Sequence, residues 1–311
     1  MKIAVVGAGA MGSRFGAALM KGGADVVLCD VFTAHIDAVN NHGLKVTDDD
    51  GVHYLKIKAT TDVKTVGNID ALMIFTKSIH TEAALKQAEP VLSGGAPVIT
   101  LQNGLGNIEV LERTVGKERT IAGVTDYPCD FIGPGEINIR GSGYVKLMAL
   151  GKAGKDVAGE VDALLKKAGL NCELSDNVMK EVWEKLAFNC AMNSITSVTR
   201  QRVREMGGSP YGFELCGLIA EEVSKVSAAE GIVINLEHVI ATFQRVIDPS
   251  KSGGHITSML QDVLAGRQTE VDSICGSVVH RAETAGIATP HLKTMYNLIK
   301  IIEENYSTRL T

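Results

Sequence analysis

The apolar residues of this chain change rhythm once. Through the first half they come as short runs: IAVV at 3–6, DVVLCD at 25–30, ALMIFTK at 71–77 and PVITLQNG at 97–104. TIAGVTDY at 120–127 and GYVKLMAL at 143–150 are further candidates. Such runs predict strands, and the lack of polar alternation predicts strands covered on both faces. Helical spacing between them gives one helix from the GAGAMG turn to about Lys21, one around 34–41 and one reaching about Leu92. Gly22 and Gly23 stop the first of these, and Gly43 stops the second. LKV at 44–46 and the period-two stretch at 52–57 predict a hairpin arm. Alternating strands and helices argue for a parallel sheet covered by helices.

Beyond about Ser175 long helical patterns take over, at 178–205, 211–230, 235–247, 258–265, 269–285 and 291–305, with DPSKSGGH at 248–255 as an internal loop. The expected organisation is an α/β fold: a Rossmann-type dinucleotide-binding domain over 1–175, then an all-helical substrate and catalytic domain over 176–311.

Composition narrows the partners. A chain of 311 residues, 45% apolar and 22% charged, can build two domains with their own cores. A net charge of −5 and 5% aromatics offer neither a basic surface nor stacking platforms for nucleic acid. No apolar run reaches 18 residues, and the chain opens on a strand pattern rather than a leader, so a soluble cytoplasmic protein with no membrane partner is expected. Cys29, Cys129, Cys172, Cys190, Cys216 and Cys275 form no C-x-x-C pair and fit a reducing compartment. The eight histidines show no metal-ligand spacing, so no metal is expected. The long C-terminal helices could bury a homodimer face or only their own core.

The strongest local signal is Gly7-Ala8-Gly9-Ala10-Met11-Gly12, a G-x-G-x-x-G turn between a strand and a helix. Gly7 permits the tight turn, Gly9 lets backbone approach a diphosphate, and Gly12 lets helix pack on strand. The diphosphate then meets free N–H groups at a helix N-terminus. Asp30 ends the second strand 18 residues after Gly12. A carboxylate there accepts from the ribose 2′-OH of NAD and repels the 2′-phosphate of NADP, and the following VFTAH holds no arginine for that phosphate. Asp30 could equally cap the next helix. Two further strand ends, FTK at 75–77 and QNGLG at 102–106, place Lys77 and Asn103 where ligands of such sheets bind.

A second signal lies in WEKLAFNCAMNSI at 183–195. The helix is apolar nearly all round, yet Lys185, Asn189 and Asn193 recur every four residues along one narrow face. A desolvated ammonium has its pKa lowered and can serve as the general acid that a nascent alkoxide requires. The asparagines one and two turns on could grip a substrate. In the bland alternative Lys185 reaches solvent and the asparagines bond backbone. HITSMLQD at 255–262 starts a helix with Thr257 or Ser258 as cap, and its N–H groups with the Ser258 hydroxyl make a carboxylate cradle. RQTEVD at 267–272 opens another, with Thr269 as N-cap and Asp272 closing a capping box. Glu270 then falls in the first turn, either as a partner of the helix dipole or as the orienter of Lys185.

Taken together, GAGAMG, FTK, QNGLG, WEKLAFNCAMNSIT, SMLQD and RQTEVDSICG, in that order, make the whole chain resemble the ketopantoate reductases (2-dehydropantoate 2-reductases). The resemblance implies a Rossmann domain, a helical domain and a cleft between them. It also implies reduction of a 2-keto acid by NADP(H) or NAD(H) within pantothenate and coenzyme A biosynthesis. On that pattern Lys185 is the proton donor and Glu270 its acidic partner. Asn103 lies beside nicotinamide and substrate, Asn189, Asn193 and Ser258 bind substrate, and Lys77 contacts cofactor. Two departures stand out: Asp30-Val31 replaces the arginine that many members use for the NADP phosphate, and His255 replaces an asparagine of some members. NAD-dependent D-2-hydroxyacid dehydrogenases of the same fold, acting on branched or aromatic 2-keto acids, share both features. A dinucleotide-binding regulator without catalysis is a third class, which the joint presence of Lys185, Asn189, Asn193 and Glu270 argues against.

Overall fold

A computed structural model of the chain describes residues 1–248 and 256–308; the stretch 249–255, with His255 and most of the expected loop, lies outside the described residues, as do 309–311. The chain divides into two compact units, Met1–Gln102 with Asn107–Val178 and Asn103–Gly106 with Met179–Thr311. The division falls a few residues beyond the boundary expected at 175 and assigns the short Asn103–Gly106 loop to the second unit.

In the first unit β1 (Lys2–Val6) runs through the glycine turn into α1 (Ala10–Gly22), followed by β2 (Asp25–Cys29), α2 (Thr33–His42) and the hairpin of β3 (Leu44–Asp48) and β4 (Gly51–Leu55). Then come β5 (Lys58–Thr60), β6 (Ala71–Ile74), α3 (Thr81–Leu92), β7 (Val98–Thr100), α4 (Asn107–Val115) and β8 (Thr120–Thr125). A second hairpin, β9 (Cys129–Gly133) and β10 (Glu136–Ile139), precedes β11 (Val145–Ala149), α5 (Lys155–Lys167) and β12 (Cys172–Leu174). The sequence reading marks neither the second hairpin nor α4 nor α5, although Ala158, Val161 and Leu165 of α5 are buried at helical spacing.

Eight strands form one sheet in the order β12-β11-β8-β7-β6-β1-β2-β5, and a smaller sheet runs β4-β3-β10-β9. The alternating elements predict a parallel sheet, but one pair departs from this: β11 lies antiparallel to β8, with Val145 opposite Thr125 and Ala149 opposite Ile121. The connection between those two strands is the β9–β10 hairpin rather than a crossover helix, so the geometry that enforces parallel pairing is missing there. Along β1, Ile3 and Val5 enter one apolar cluster while Ala4 and Val6 enter another; along β6, Ala71 and Met73 part from Leu72 and Ile74 in the same way. Both faces are covered, which is why these strands read as unbroken apolar runs. Since β1 is flanked by β2 and β6, the strand order reverses at its carboxyl end, where the glycine turn begins.

The described residues of the second unit form α6 (Met179–Thr199), α7 (Val203–Gly208), α8 (Pro210–Ala229), α9 (Leu236–Ile247), α10 (Ser258–Leu264), a π-helical turn at Asp272–Gly276, α11 (Ser277–Ala285) and α12 (Pro290–Glu304). Trp183, Leu186 and Cys190 of α6 share one core cluster with Val223, Phe243, Val278 and Leu292. The pattern at 178–205 is two helices, not one. Arg200 adopts φ 54, a left-handed conformation that ends a right-handed helix, and α7 starts only at Val203. The helix expected from 269 likewise begins later, without its capping box. The Asp272 carboxylate accepts instead from the Tyr296 hydroxyl at 2.9 Å and from Lys300 Nζ at 3.1 Å. The Thr269 backbone N–H and hydroxyl both donate to Glu303 Oε1, each at 2.7 Å.

All six cysteines are free thiols. Burial pushes those of Cys29, Cys129, Cys172 and Cys216 up to about 12, out of the range where they ionise near neutrality. No described helix is long and apolar enough to cross a membrane.

The start of α12 depends on one buried acid. Glu222 on α8 is 5% exposed and accepts from the backbone N–H groups of His291 at 3.0 Å and Leu292 at 2.9 Å. Glu222→Ala orphans both donors, so we expect a loss of about 2–3 kcal/mol in folding free energy, read as a lower midpoint in urea denaturation.

Candidate active site

The carboxyl end of β1 is shaped by backbone packing. Gly7 has φ +90, and a Cβ on it would sit 2.5 Å from the backbone nitrogen of Thr76. A Cβ on Gly12 would sit 2.0 Å from the Gly7 carbonyl oxygen. At these two positions any side chain would force strand, turn and helix apart. Gly9 differs: a Cβ there would meet nothing within 4 Å, so the turn is open above it. Gly9 is the N-cap of α1, no side chain caps the helix and no acidic residue stands in its first turn. The uncapped N–H groups, in the turn Gly7, Ala8, Gly9, Ala10, Met11, Gly12, therefore form an electropositive cradle. Beside it Thr76 Oγ1 is buried with no hydrogen-bond partner among the described residues. An open cradle and an orphaned hydroxyl are what a diphosphate-bearing ligand would complete.

Asp30 follows β2. Its Oδ1 accepts the backbone N–H of Phe32 at 2.9 Å, a local turn that leads into α2 but gives no side-chain cap to that helix. The next residues, Val31 and Phe32, are 79% and 47% exposed, and Phe32 lies 6.4 Å from the Phe131 ring. Carboxylate and apolar surface thus adjoin where the second strand ends. Lys77 is half-buried just past the Thr76 position, at the start of a 3-10 turn over Ser78–His80.

The remaining sequence-derived candidates all belong to the helical unit. On α6, Asn189 is 7% and Asn193 5% exposed, and Lys185 on the same face is half-buried. Among the described residues neither side-chain carboxamide engages a protein group; the Asn193 main-chain carbonyl accepts from Thr196 Oγ1 at 3.2 Å. The Asn103 loop belongs here too. Gly104, φ +83, presses its backbone on the π turn: a Cβ would stand 2.5 Å from the Ser273 carbonyl oxygen, which also accepts from Leu105 N–H at 2.9 Å. The π turn packs in its turn on α6. Cys190 Sγ lies 3.6 Å from the Ile274 carbonyl oxygen, and Cys275 Sγ lies 3.9 Å from that of Cys190. Glu270, half-buried, immediately precedes this turn and its carbonyl accepts from Ile274 N–H at 3.0 Å. Thr257 caps α10, accepting from Leu260 N–H at 3.4 Å, and its hydroxyl meets that of Thr196 on α6 at 2.8 Å; Ser258 follows and is exposed. Short contacts therefore tie together the elements that carry Asn103, Lys185, Asn189, Asn193, Ser258 and Glu270. A π turn inside such a group is a common companion of function.

Sequence reasoning misses Thr76, Thr196 and Glu303. A hydroxyl at the end of the FTK strand is a local hint for Thr76. Nothing local announces that Thr196 meets Thr257 or that Glu303 holds Thr269. Among the described residues no group of three or more His, Cys, Asp or Glu side chains could hold a metal ion.

A doubly wound sheet whose strand order reverses at an open glycine cradle is the arrangement of a dinucleotide-binding domain. The family profile described as ketopantoate reductase PanE/ApbA matches residues 3–152, and that of its C-terminal domain matches residues 177–303. The chain belongs to the ketopantoate reductase family. It is 29% identical over 307 residues to the 2-dehydropantoate 2-reductase of Lactococcus lactis subsp. lactis, covering 98% of each chain. The enzyme of that name from Streptococcus pyogenes serotype M18 is 31% identical, covering 96% of this chain and 97% of its own. Among solved structures, D-mandelate dehydrogenase with NADH and anilino(oxo)acetate is similar at a TM-score of 0.94 and 30% identity, over 99% of this chain and 100% of that one.

The glycines separate two effects. Gly9→Ala should leave the thermal midpoint within about 2 °C of the parent yet weaken NADH binding by at least about tenfold, because its methyl group meets only the ligand; Gly12→Ala should lower both. Fluorescence titration with NADH beside a thermal melt checks this.

Proposed function

We propose that the protein reduces a 2-keto acid to its 2-hydroxy acid, with ketopantoate (2-dehydropantoate) to pantoate, in pantothenate and coenzyme A biosynthesis, as the leading reaction. The observation that carries this reading is the pair of buried residues, Asn189 and Asn193, aligned with Lys185, whose carboxamides engage no protein group among the described residues. Their amide groups still reach solvent, so a polar substrate can bond them without first breaking a bond to the protein. The names of the relatives support the same substrate class.

The bound dihydronicotinamide supplies a hydride to C2 of the keto acid. As the carbonyl electron pair moves onto oxygen, the Lys185 ammonium donates a proton to it, giving the hydroxyl. Glu270 holds that ammonium in place. Asn103, Asn189 and Asn193 fix the reacting carbonyl and its neighbouring hydroxyl, and Ser258 holds the carboxylate at the start of α10. Lys77 and the glycine turn bind the cofactor. Asp30, with no arginine among the residues that follow, favours NADH over NADPH. The six free cysteines fit a cytoplasmic setting.

A second reading has a specific observation in its favour. The likeness to D-mandelate dehydrogenase solved with NADH, together with Asp30, supports an NAD-dependent D-2-hydroxyacid dehydrogenase acting on branched or aromatic 2-keto acids. Turnover of ketopantoate beside branched and aromatic 2-keto acids, with NADH and NADPH in parallel, separates the two. In either case Lys185→Ala should lower kcat by at least about 100-fold, the range of general acid catalysis. Undiminished kcat in a folded Lys185→Ala protein would remove Lys185 from this role.

A further inference from the structure

One buried histidine has no part in the reaction described above. His35 on α2 is 1% exposed, and three hydrogen bonds run through it to the glycine turn. The Gly135 backbone N–H, in the β9–β10 turn, meets His35 Nδ1 at 2.9 Å. His35 Nε2 meets Ser13 Oγ on α1 at 3.3 Å, and Ser13 Oγ meets the Ala8 carbonyl oxygen at 2.7 Å. The ends of this chain settle every proton in it. A carbonyl only accepts, so the Ser13 hydroxyl donates to Ala8; a backbone N–H only donates, so Nδ1 carries a lone pair. The ring is then the neutral tautomer with its proton on Nε2, donated to Ser13 Oγ. Ala8 stands between Gly7 and Gly9 of the cradle.

We propose that Ser13 and His35 are positioning residues of the dinucleotide turn, through which the β9–β10 hairpin holds the Ala8 peptide in its ligand-binding orientation and releases it when the imidazole is protonated. A proton on Nδ1 would face the Gly135 N–H, donor against donor. Gly135 packs directly on α2, where a Cβ on it would stand 2.8 Å from that of Ala38. The Phe131 ring, 5.2 Å away, closes another side of the imidazole. Of the charged groups around His35, Asp30 acts on it and favours the cation. The others are engaged elsewhere: Arg14 on α1 with the Pro128 carbonyl and over the Tyr127 ring, Asp130 on β9 with Arg140, and Glu136 on β10 with Lys45. Burial outweighs Asp30 and the Ala8 carbonyl, both of which favour the cation, so the His35 pKa lies below its usual value of 6.5. The neutral form is therefore favoured in the folded state. The stabilisation is complete above the ordinary histidine value and is lost as pH falls from there through the lowered one.

The inference rests on the dinucleotide-binding reading but not on the identity of the keto acid. Calorimetric titration of the whole protein with ADP-ribose, whose diphosphate keeps its charge across the range, reads binding without turnover. We expect the wild-type Kd to be about tenfold weaker at about pH 5.5 than at about pH 7.5. His35→Gln, whose amide can accept from Gly135 and donate to Ser13 without titrating, should bind within about threefold of wild type at the higher pH and lose the acid weakening. Ser13→Ala should bind about five- to tenfold more weakly at both pH values while melting as a folded protein. An acid weakening that persists unchanged in His35→Gln, or wild-type affinity in Ser13→Ala, would overturn the proposal. Absence of ADP-ribose binding by the wild type at either pH would instead overturn the dinucleotide reading, and the proposal with it.

Discussion

A polar group withdrawn from water must find a partner or charge its cost to the fold, and that constraint runs through both units of this protein. Helix α6 is sealed into the apolar core by Trp183, Leu186 and Cys190, yet carries Asn189 and Asn193 almost as deeply. Elsewhere on α6 the Thr196 hydroxyl donates to the Met192 carbonyl at 2.7 Å, whereas the Ser197 hydroxyl is buried with no partner among the described residues. The carboxamides of Asn189 and Asn193 also bond no protein group among the described residues, and they lie on the face of Lys185. Their amides are therefore free to meet a ligand on that face.

The first unit repeats the logic in backbone. An α-helix begins with donors that no residue within it can satisfy, and a side-chain cap is one way to meet them. At α1 none is supplied, the open side of Gly9 leaves room for a ligand, and the Thr76 hydroxyl stays unpaired beside it. The close contacts of Gly7 and Gly12 hold this arrangement at the point where the strand order reverses. Each unit thus presents polar groups that its own chain leaves unanswered, main-chain donors in one and side-chain amides in the other.

What the sequence reveals follows from the range of each interaction. The glycine turn is legible because Gly7, Gly9 and Gly12 meet within six residues, and the α6 stripe because helical period alone aligns Lys185, Asn189 and Asn193. The central strands β1, β2, β6 and β7 are legible because burial on both faces leaves them apolar, whereas β5 and β12 at the sheet's edges are short, partly exposed and unmarked. The break after α6 is not: no glycine or proline marks it, and Arg200 simply takes the left-handed turn. Nor is the fate of Asp272, which local pattern assigns to a capping box and tertiary structure gives to Tyr296 and Lys300. The antiparallel β11 escapes too, because a run of buried residues carries no sign of direction. Of the site, residue types and spacing were readable, whereas the contacts that gather them, Gly104 on Ser273 and Thr196 on Thr257, join residues far apart in sequence.

The central claim is a hydride transfer to C2 of a 2-keto acid by a protein whose helical unit provides the proton. Reduction of ketopantoate, and of branched and aromatic 2-keto acids, with dihydronicotinamide cofactor deuterated at C4 tests it most directly. The account predicts a 2-hydroxy acid carrying deuterium at C2 and a proton from solvent on oxygen, seen by proton NMR as loss of the C2–H signal. Product formed with hydrogen from water at C2, or no product from any of these acids although the cofactor binds, would contradict it.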